Sequence, residues 1–263
     1  MSLTIQNLNL TIADKLICEQ LNICFTPGQF WAIMGINGVG KSTLLKSLMA
    51  LKKINQGKIS LDDQNVRQYK AARRAQLLGL MLQEYEYNFP STVLEACLIG
   101  RHPFIKSWQW ENKRDKKLAL KALQQVGLEQ LQLRAINTLS GGEKRRLNLA
   151  TILTQDPKYY LLDEPVNHLD IKAQIEMLSL LKDKFSHDQQ HCGIMVIHDP
   201  NLAYRFCDHV LLLFANGQYQ SGPTRDILNK GNLSLLYDCP VHQISDHEHN
   251  FFIPLKKTAC YEK

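Results

Sequence analysis

The 263-residue sequence contains no apolar run approaching the roughly 18 to 20 residues that cross a bilayer as a helix. Its start, MSLTIQNLNL, has neither the basic cluster nor the long apolar core of an export signal. The expectation is a chain that does not itself span a membrane and stays in the cytoplasm. The seven cysteines (Cys18, Cys24, Cys97, Cys192, Cys207, Cys239 and Cys260) form no C-x-x-C pair, which argues against a zinc site or disulfide frame and for reduced thiols used in packing. No internal repeat or low-complexity tract is evident, so one unit is expected rather than two in tandem. The net charge is +6, yet the basic runs Lys113-Arg114-Asp115-Lys116-Lys117 and Lys144-Arg145-Arg146 lack the interleaved aromatics on which bases stack. They read as solvated helix faces, and no nucleic-acid partner is expected.

What is present is a loop suited to phosphate. Gly35 to Thr43 reads GINGVGKST, preceded by the strand-like run Phe30 to Met34 and followed by the helix-like Thr43 to Leu48. Gly35, Gly38 and Gly40 let the backbone turn tightly, Asn37 lies within the loop, and the following helix adds its positive N-terminal end. Lys41 would reach the β- and γ-phosphates of a nucleotide, Ser42 would ligate Mg²⁺, and Thr43 completes the loop.

Around that loop the pattern is α/β. Leu3 to Leu10 and Leu21 to Phe25 suggest a small antiparallel sheet, and Lys58 to Leu61 and Leu77 to Leu82 two further strands. Ser91-Thr92 opens a helix over VLEACLIGR, Asn112 to Val126 gives another, and no strand is expected from Phe89 to about Pro157. Strand and helix then alternate: YYLLDEP, Ile171 to Phe185, Gly193 to Ile197, Asn201 to Phe206 and His209 to Phe214. Such alternation implies a largely parallel sheet, with its ligand at the carboxyl ends of the strands.

Two further motifs carry chemistry. Tyr159 to Glu164 is an apolar strand ending in two carboxylates, with Asp163 placed for the Mg²⁺ shell and Glu164 for polarising a water. Thr138-Leu139-Ser140-Gly141-Gly142-Glu143 sets two glycines behind a helix-capping serine, a second nest of backbone donors for an anion. With these in order, the chain resembles the nucleotide-binding subunit of an ABC transporter, whose signature is LSGGE, over nearly its whole length.

The resemblance implies a P-loop NTPase core of the RecA-like kind with a parallel sheet, an N-terminal antiparallel β subdomain and an inserted helical subdomain. It implies one domain over 1–263, with the core in 1–88 and 158–222, the helical part in 89–157 and a C-terminal extension in 223–263. Gln83 matches the glutamine that touches Mg²⁺ and the attacking water, Asp170 the residue that contacts the opposite subunit, and His198 the switch histidine at the γ-phosphate. ATP and Mg²⁺ are the implied cofactors. The implied assembly is a homodimer with each ATP between one phosphate loop and the other subunit's Ser140, Gly141 and Gly142. That dimer would dock peripherally, at the cytoplasmic face of the cell membrane, on two integral permease subunits served indirectly by a substrate-binding protein.

The segments Thr92 to Ala96, Gly100 to Pro103 and His198 to Ala203 are similar to those of importers for siderophores, haem and cobalamin. The expected cargo is an iron chelate, with cobalamin as the alternative; a soluble ABC ATPase of iron-sulfur assembly is the rival without a membrane partner. The permease is expected in a groove at Gln83 to Phe89 and Thr92 to Arg101, with Arg101 on the docking surface. The sequence departs from the family at Ile12, where an aromatic stacking on adenine is usual, in the signature-helix stretches Glu143-Lys144-Arg145-Arg146 and Ala150-Thr151, where a glutamine in the first and an arginine in the second are more usual, and at Val166, which replaces a common threonine. In the tail, His242, His247 and His249 are read as structural, with no metal site, and Phe251 to Leu255 as a closing strand.

Overall fold

The computed structural model describes residues 2–12, 15–83, 90–106, 109–246 and 249–256. Strand β1 (Leu3–Ile12) lies between β2 (Lys15–Phe25) and β4 (Gln56–Leu61) in an antiparallel sheet whose far edge is β5 (Gln64–Asn65). Leu3, Ile5, Leu8 and Leu10 of β1 are buried, so the inward phase slips by one residue between Ile5 and Leu8. The register with β2 and β4 breaks at the same place, and Asn7 takes up the extra residue in the left-handed region (φ 46°). Opposite it, Gly57 lies so close that a Cβ there would sit 2.4 Å from the Asn7 carbonyl oxygen.

The central sheet has the order β10-β9-β3-β8-β7-β6. Strands β3 (Phe30–Met34), β6 (Leu78–Met81), β7 (Tyr159–Asp163), β8 (Cys192–Val196) and β9 (His209–Leu213) are parallel, and β10 (Tyr219–Pro223) closes one edge antiparallel to β9. Every residue of β3, β7 and β8 is buried, as both faces of a parallel sheet must be covered. Alternate side chains serve two cores. Trp31, Ile33, Tyr159 and Leu161 face the antiparallel sheet and helix α1 (Lys41–Leu48). Phe30, Met34, Tyr160 and Leu162 face Phe185 of helix α6 (Ile171–Asp188) and the helices that follow β6.

Those helices are α3 (Val93–Leu98), α4 (Lys113–Gln125) and α5 (Gly141–Gln155), each opened by a capping box: Thr92 with Glu95, Asn112 with Asp115, and Ser140 with Glu143. Small residues such as Ala96, Ala119, Ala122 and Ala150 are fully or almost fully buried where they meet. Between Pro90 and Pro157 the described residues contain no strand, only an isolated bridge from Thr92 to Ala135.

The structure corrects several expectations. Leu77 ends a helix, α2 (Ala71–Leu77), that the sequence did not announce, and the strand after it covers only Leu78 to Met81. Cys24 is exposed rather than packed, whereas Cys18, Cys97, Cys192 and Cys207 are buried; Cys260 lies outside the described residues. Arg101 turns inward. Its Nε donates to Asp115 Oδ1 at 2.9 Å, its Nη1 to the carbonyls of Thr154 and Gln155, and its side chain is 11% exposed. It ties the helical region together instead of standing out on the surface as expected. In the tail, α7 (Pro200–Phe206) and the short helices α8 (Thr224–Ile227) and α9 (Lys230–Tyr237) precede a hairpin of β11 (Val241–Asp246) and β12 (His249–Pro254), which packs Phe252 into the core beside Tyr204.

Candidate nucleotide-binding site

The loop from Gly35 to Gly40 joins the end of β3 to the start of α1. Gly40 is the residue before the helix, with φ 106°, a conformation that a side chain would strain. A Cβ on Gly35 would sit 2.7 Å from the Leu213 carbonyl oxygen. Lys41 is 6% exposed and folds back to donate from Nζ to the carbonyls of Gly35 (2.9 Å) and Ile36 (3.0 Å). Burial pulls its ammonium below the usual lysine range, against the opposing pull of Glu164 and Asp163. Ser42 Oγ donates to Asp163 Oδ1 at 3.1 Å. The Asp163 carboxyl is raised above the usual carboxylate range, chiefly by burial; the Ser42 bond opposes this and the charge of Glu164 adds to it.

Glu164 follows β7 in the left-handed region (φ 53°), an unusual conformation for a residue with a side chain and one that gathers at functional sites. Three elements converge on its carboxylate. Gln83, after β6, donates to Oε2 at 3.0 Å; His198, after β8, meets Oε1 through Nε2 at 2.7 Å; Asn167 donates to Oε2 from the following turn. The His198 carbonyl accepts the Tyr237 hydroxyl at 3.0 Å, so the tail helix α9 braces this histidine.

These groups surround a cavity of about 600 Å³, a volume typical of small-molecule sites. It is lined by Asn37, Gly38, Gly40, Lys41, Ser42 and Thr43 of the loop and helix start, and by Gln83, Glu164, Asn167, His168 and His198. Ile12, Lys15 and Ile17 line it as well, with Lys15 Nζ donating to the Gly38 carbonyl at 3.0 Å.

A chain with this site has recognisable kin. The sequence profile described as ABC transporter matches residues 18–167, more than half of the chain. The chain belongs to that family. It is an ATP-binding ATPase subunit with the family's α/β fold.

Among its relatives, the achromobactin transport ATP-binding protein CbrD of Dickeya dadantii is 33% identical, over 91% of this chain and 90% of its own. The manganese transport ATP-binding protein MntA of Synechocystis is 34% identical, over 80% of each chain. Among solved structures, a transporter assigned to the metal-chelate type, in an inward-facing conformation, superimposes with a TM-score of 0.83 at 31% identity, covering 97% of this chain and 98% of that one. The dimeric ATP-binding cassette MJ0796, in a post-hydrolysis state bound to ADP and phosphate, gives 0.74 at 25% identity over 86% and 99%. Homologous cassettes thus work as dimers.

Six of the expected site residues do not line this cavity: Gly35 and Asp163, which are bonded to the lining residues Lys41 and Ser42, and Ser140, Gly141, Gly142 and Asp170. Ser140 caps α5, accepting from the Glu143 N–H, and Asp170 caps α6, accepting from the Ala173 N–H. The sequence reading missed Arg145. Expected on a solvated face, it is 6% exposed and directs its guanidinium at the backbone behind Glu164. The available signal was helical phase: Arg145 stands one turn before the buried Leu149.

Proposed function

We propose that this cassette hydrolyses ATP to drive import of an iron chelate, a siderophore complex or haem, through separate permease subunits. The observation that carries the catalytic part is the convergence of Gln83, Asn167 and His198 on the Glu164 carboxylate at the mouth of the phosphate loop. Glu164 orients the attacking water and accepts its proton, while His198 and Gln83 fix the direction of the carboxylate and face the γ-phosphate. Lys41 exchanges the carbonyls of Gly35 and Ile36 for the β- and γ-phosphate oxygens, relieving a buried ammonium that now has only neutral acceptors. Backbone N–H groups of the loop and the first turn of α1 hold the remaining oxygens.

The Mg²⁺ that accompanies ATP fits the donor set. Ser42 Oγ and Asp163 Oδ1 are neighbouring oxygens, and a raised, buried Asp163 beside Glu164 gains from a hard cation. Ser42, Asp163 and Gln83 would hold the ion, which when bound neutralises charge on the phosphate oxygens.

The dimer reading is supported by the position of the signature. Ser140 and Gly141 are exposed, a Cβ on Gly141 would meet nothing within 4 Å, and none of the nest lines the cavity of its own phosphate loop, so it is open to a second chain. In the dimer it serves the ATP of the opposite subunit, with Asp170 at the same seam. Permease docking is supported by a small groove of about 190 Å³ between Leu80 to Leu82 and the helical region, lined by Ile99, Pro103 and Ile152; residues 84–89 of the expected surface lie outside the described residues. Among the described residues no helix is long and apolar enough to cross a membrane, so any attachment to the cytoplasmic face of the membrane would be peripheral, through the permease.

The cargo reading leans on the achromobactin relative and the metal-chelate transporter. The manganese relative favours a second reading, a free metal ion. Uptake of a labelled ferric siderophore or haem should vanish when the gene is deleted and return with the wild-type chain but not with Glu164→Gln. Loss of manganese or cobalamin uptake instead would reassign the cargo, and unchanged uptake with no copurifying permease would favour the soluble iron-sulfur assembly role.

A further inference from the structure

Arg145 has five N–H donors, and the structure uses all five on backbone carbonyls. Nη1 donates to Leu82 (3.0 Å) and Gln83 (2.7 Å), Nη2 to Asp163 (2.6 Å) and Glu164, and Nε to Pro165 (3.1 Å). These carbonyls come from two segments that meet only in the folded chain: the end of β6 and the end of β7 with its following turn. Arg145 itself stands on α5, five residues after Ser140.

We infer that Arg145 is a positioning residue for hydrolysis: its guanidinium clamps the Gln83 and Glu164 backbones in one geometry and ties the signature helix to the catalytic strand ends. The inference rests on the reading of Glu164 as the base.

Three observations support it. The left-handed Glu164 carbonyl accepts from the guanidinium, so a conformation unfavourable for a residue with a side chain is held where the carboxylate meets Gln83 and His198. The Gln83–Glu164 side-chain bond of 3.0 Å exists only if β6 and β7 end level with each other, and the fork spans both ends. Arg145 is 6% exposed and its guanidinium lies against the Asp163 and Glu164 backbones, so the carboxylates at this site have a fixed cation behind them. A planar fork is required. Lysine offers three donors on one atom and cannot reach carbonyls spread over both strand ends.

A consequence follows for the dimer. The nest at Ser140 to Gly142 serves the opposite ATP, while Arg145 on the same helix holds its own subunit's Glu164. Movement of α5 on closure therefore reaches the catalytic turn directly, with Arg145 as the link.

The test compares Arg145→Gln, Arg145→Lys, Glu164→Gln and the double variant Arg145→Gln/Glu164→Gln. Circular dichroism and melting establish folding, a fluorescent ATP analogue reports binding, and phosphate release reports turnover. The expected result is analogue affinity within about twofold of wild type and kcat lowered tenfold or more in Arg145→Gln. Arg145→Lys should also fall, despite keeping the charge. Adding Arg145→Gln to Glu164→Gln should lower the residual turnover by less than twofold, because the positioned group is already gone. Wild-type kcat in a folded Arg145→Gln or Arg145→Lys overturns the inference, as does a full multiplicative loss in the double variant. If both single variants fail to fold, Arg145 is assigned to stability alone and the inference is likewise overturned. If Glu164→Gln turns over normally, the reading of the site itself fails, a result separate from any behaviour of Arg145.

Discussion

Replacing Arg101 with alanine should destabilise the helical region severely, although no nucleotide ligand is touched. The guanidinium is 11% exposed and its partner Asp115 5%, at 2.9 Å, so the pair is largely withdrawn from water. Removing one member of a buried pair costs about 3–5 kcal/mol, because the remaining charge is left in a poorly solvated site. Asp115 keeps only its capping contact with the Asn112 N–H at 3.1 Å, and the carbonyls of Thr154 and Gln155 lose a donor. The cation also leaves the Phe104 ring, whose centroid lies 4.0 Å from the guanidinium carbon. For a chain of this size each kcal/mol moves the melting temperature by about 2 °C, so a drop of about 6–10 °C is expected by calorimetry. Asp115→Asn in the same background should recover part of it, with a coupling of at least about 1 kcal/mol in the double-mutant cycle. A melting temperature within about 2 °C of wild type, or no coupling, would refute the reasoning and return Arg101 to the surface.

Three further outcomes are expected. Lys41→Ala should weaken binding of a fluorescent ATP analogue by tenfold or more, since the loop loses its one buried cation at the phosphates; equal affinity would mean that the lysine stays on Gly35 and Ile36 in the bound state. With Ile12 and Ile17 rather than an aromatic ring on the cavity wall, GTP should compete with ATP to within about tenfold, roughly 1.4 kcal/mol, and a much stronger ATP preference would require another grip on the base. Burial raises the Asp163 carboxyl, so the folded chain holds its proton more tightly than the unfolded chain, and stability from this group declines as pH rises through the folded pKa. Asp163→Asn should therefore melt higher than wild type at neutral pH without nucleotide, lose that advantage in acid, and abolish Mg²⁺-dependent turnover; a lower melting temperature at neutral pH would contradict the sign.

Much of the site was legible because its parts are local. A glycine-rich loop between a strand and a helix, two carboxylates at a strand end and a capped helix each declare themselves within ten residues. Gln83 and His198 were assigned through the resemblance to the family, and the sheet brings both to Glu164. What was not legible depends on distant partners or on a change of helical phase. Arg145 reads as one basic residue among three, and only the fold sets the ends of β6 and β7 against it. Arg101 was misplaced because α3 stops at Leu98 and the chain continues to Phe104 as a tighter three-residue-per-turn helix, which rotates Arg101 inward relative to an extrapolated α-helix. The bulge at Asn7 hides an inward alternation that a strict two-residue period would break.

The central claim is that this chain hydrolyses ATP with Glu164 as the base, at a site closed by a second copy. The most direct measurement is gel filtration of Glu164→Gln with ATP and Mg²⁺, read beside phosphate release. The account predicts retained ATP binding, elution as a nucleotide-bound dimer, and turnover lowered by about a hundredfold or more. A variant that remains monomeric with ATP bound and releases phosphate at the wild-type rate would contradict it.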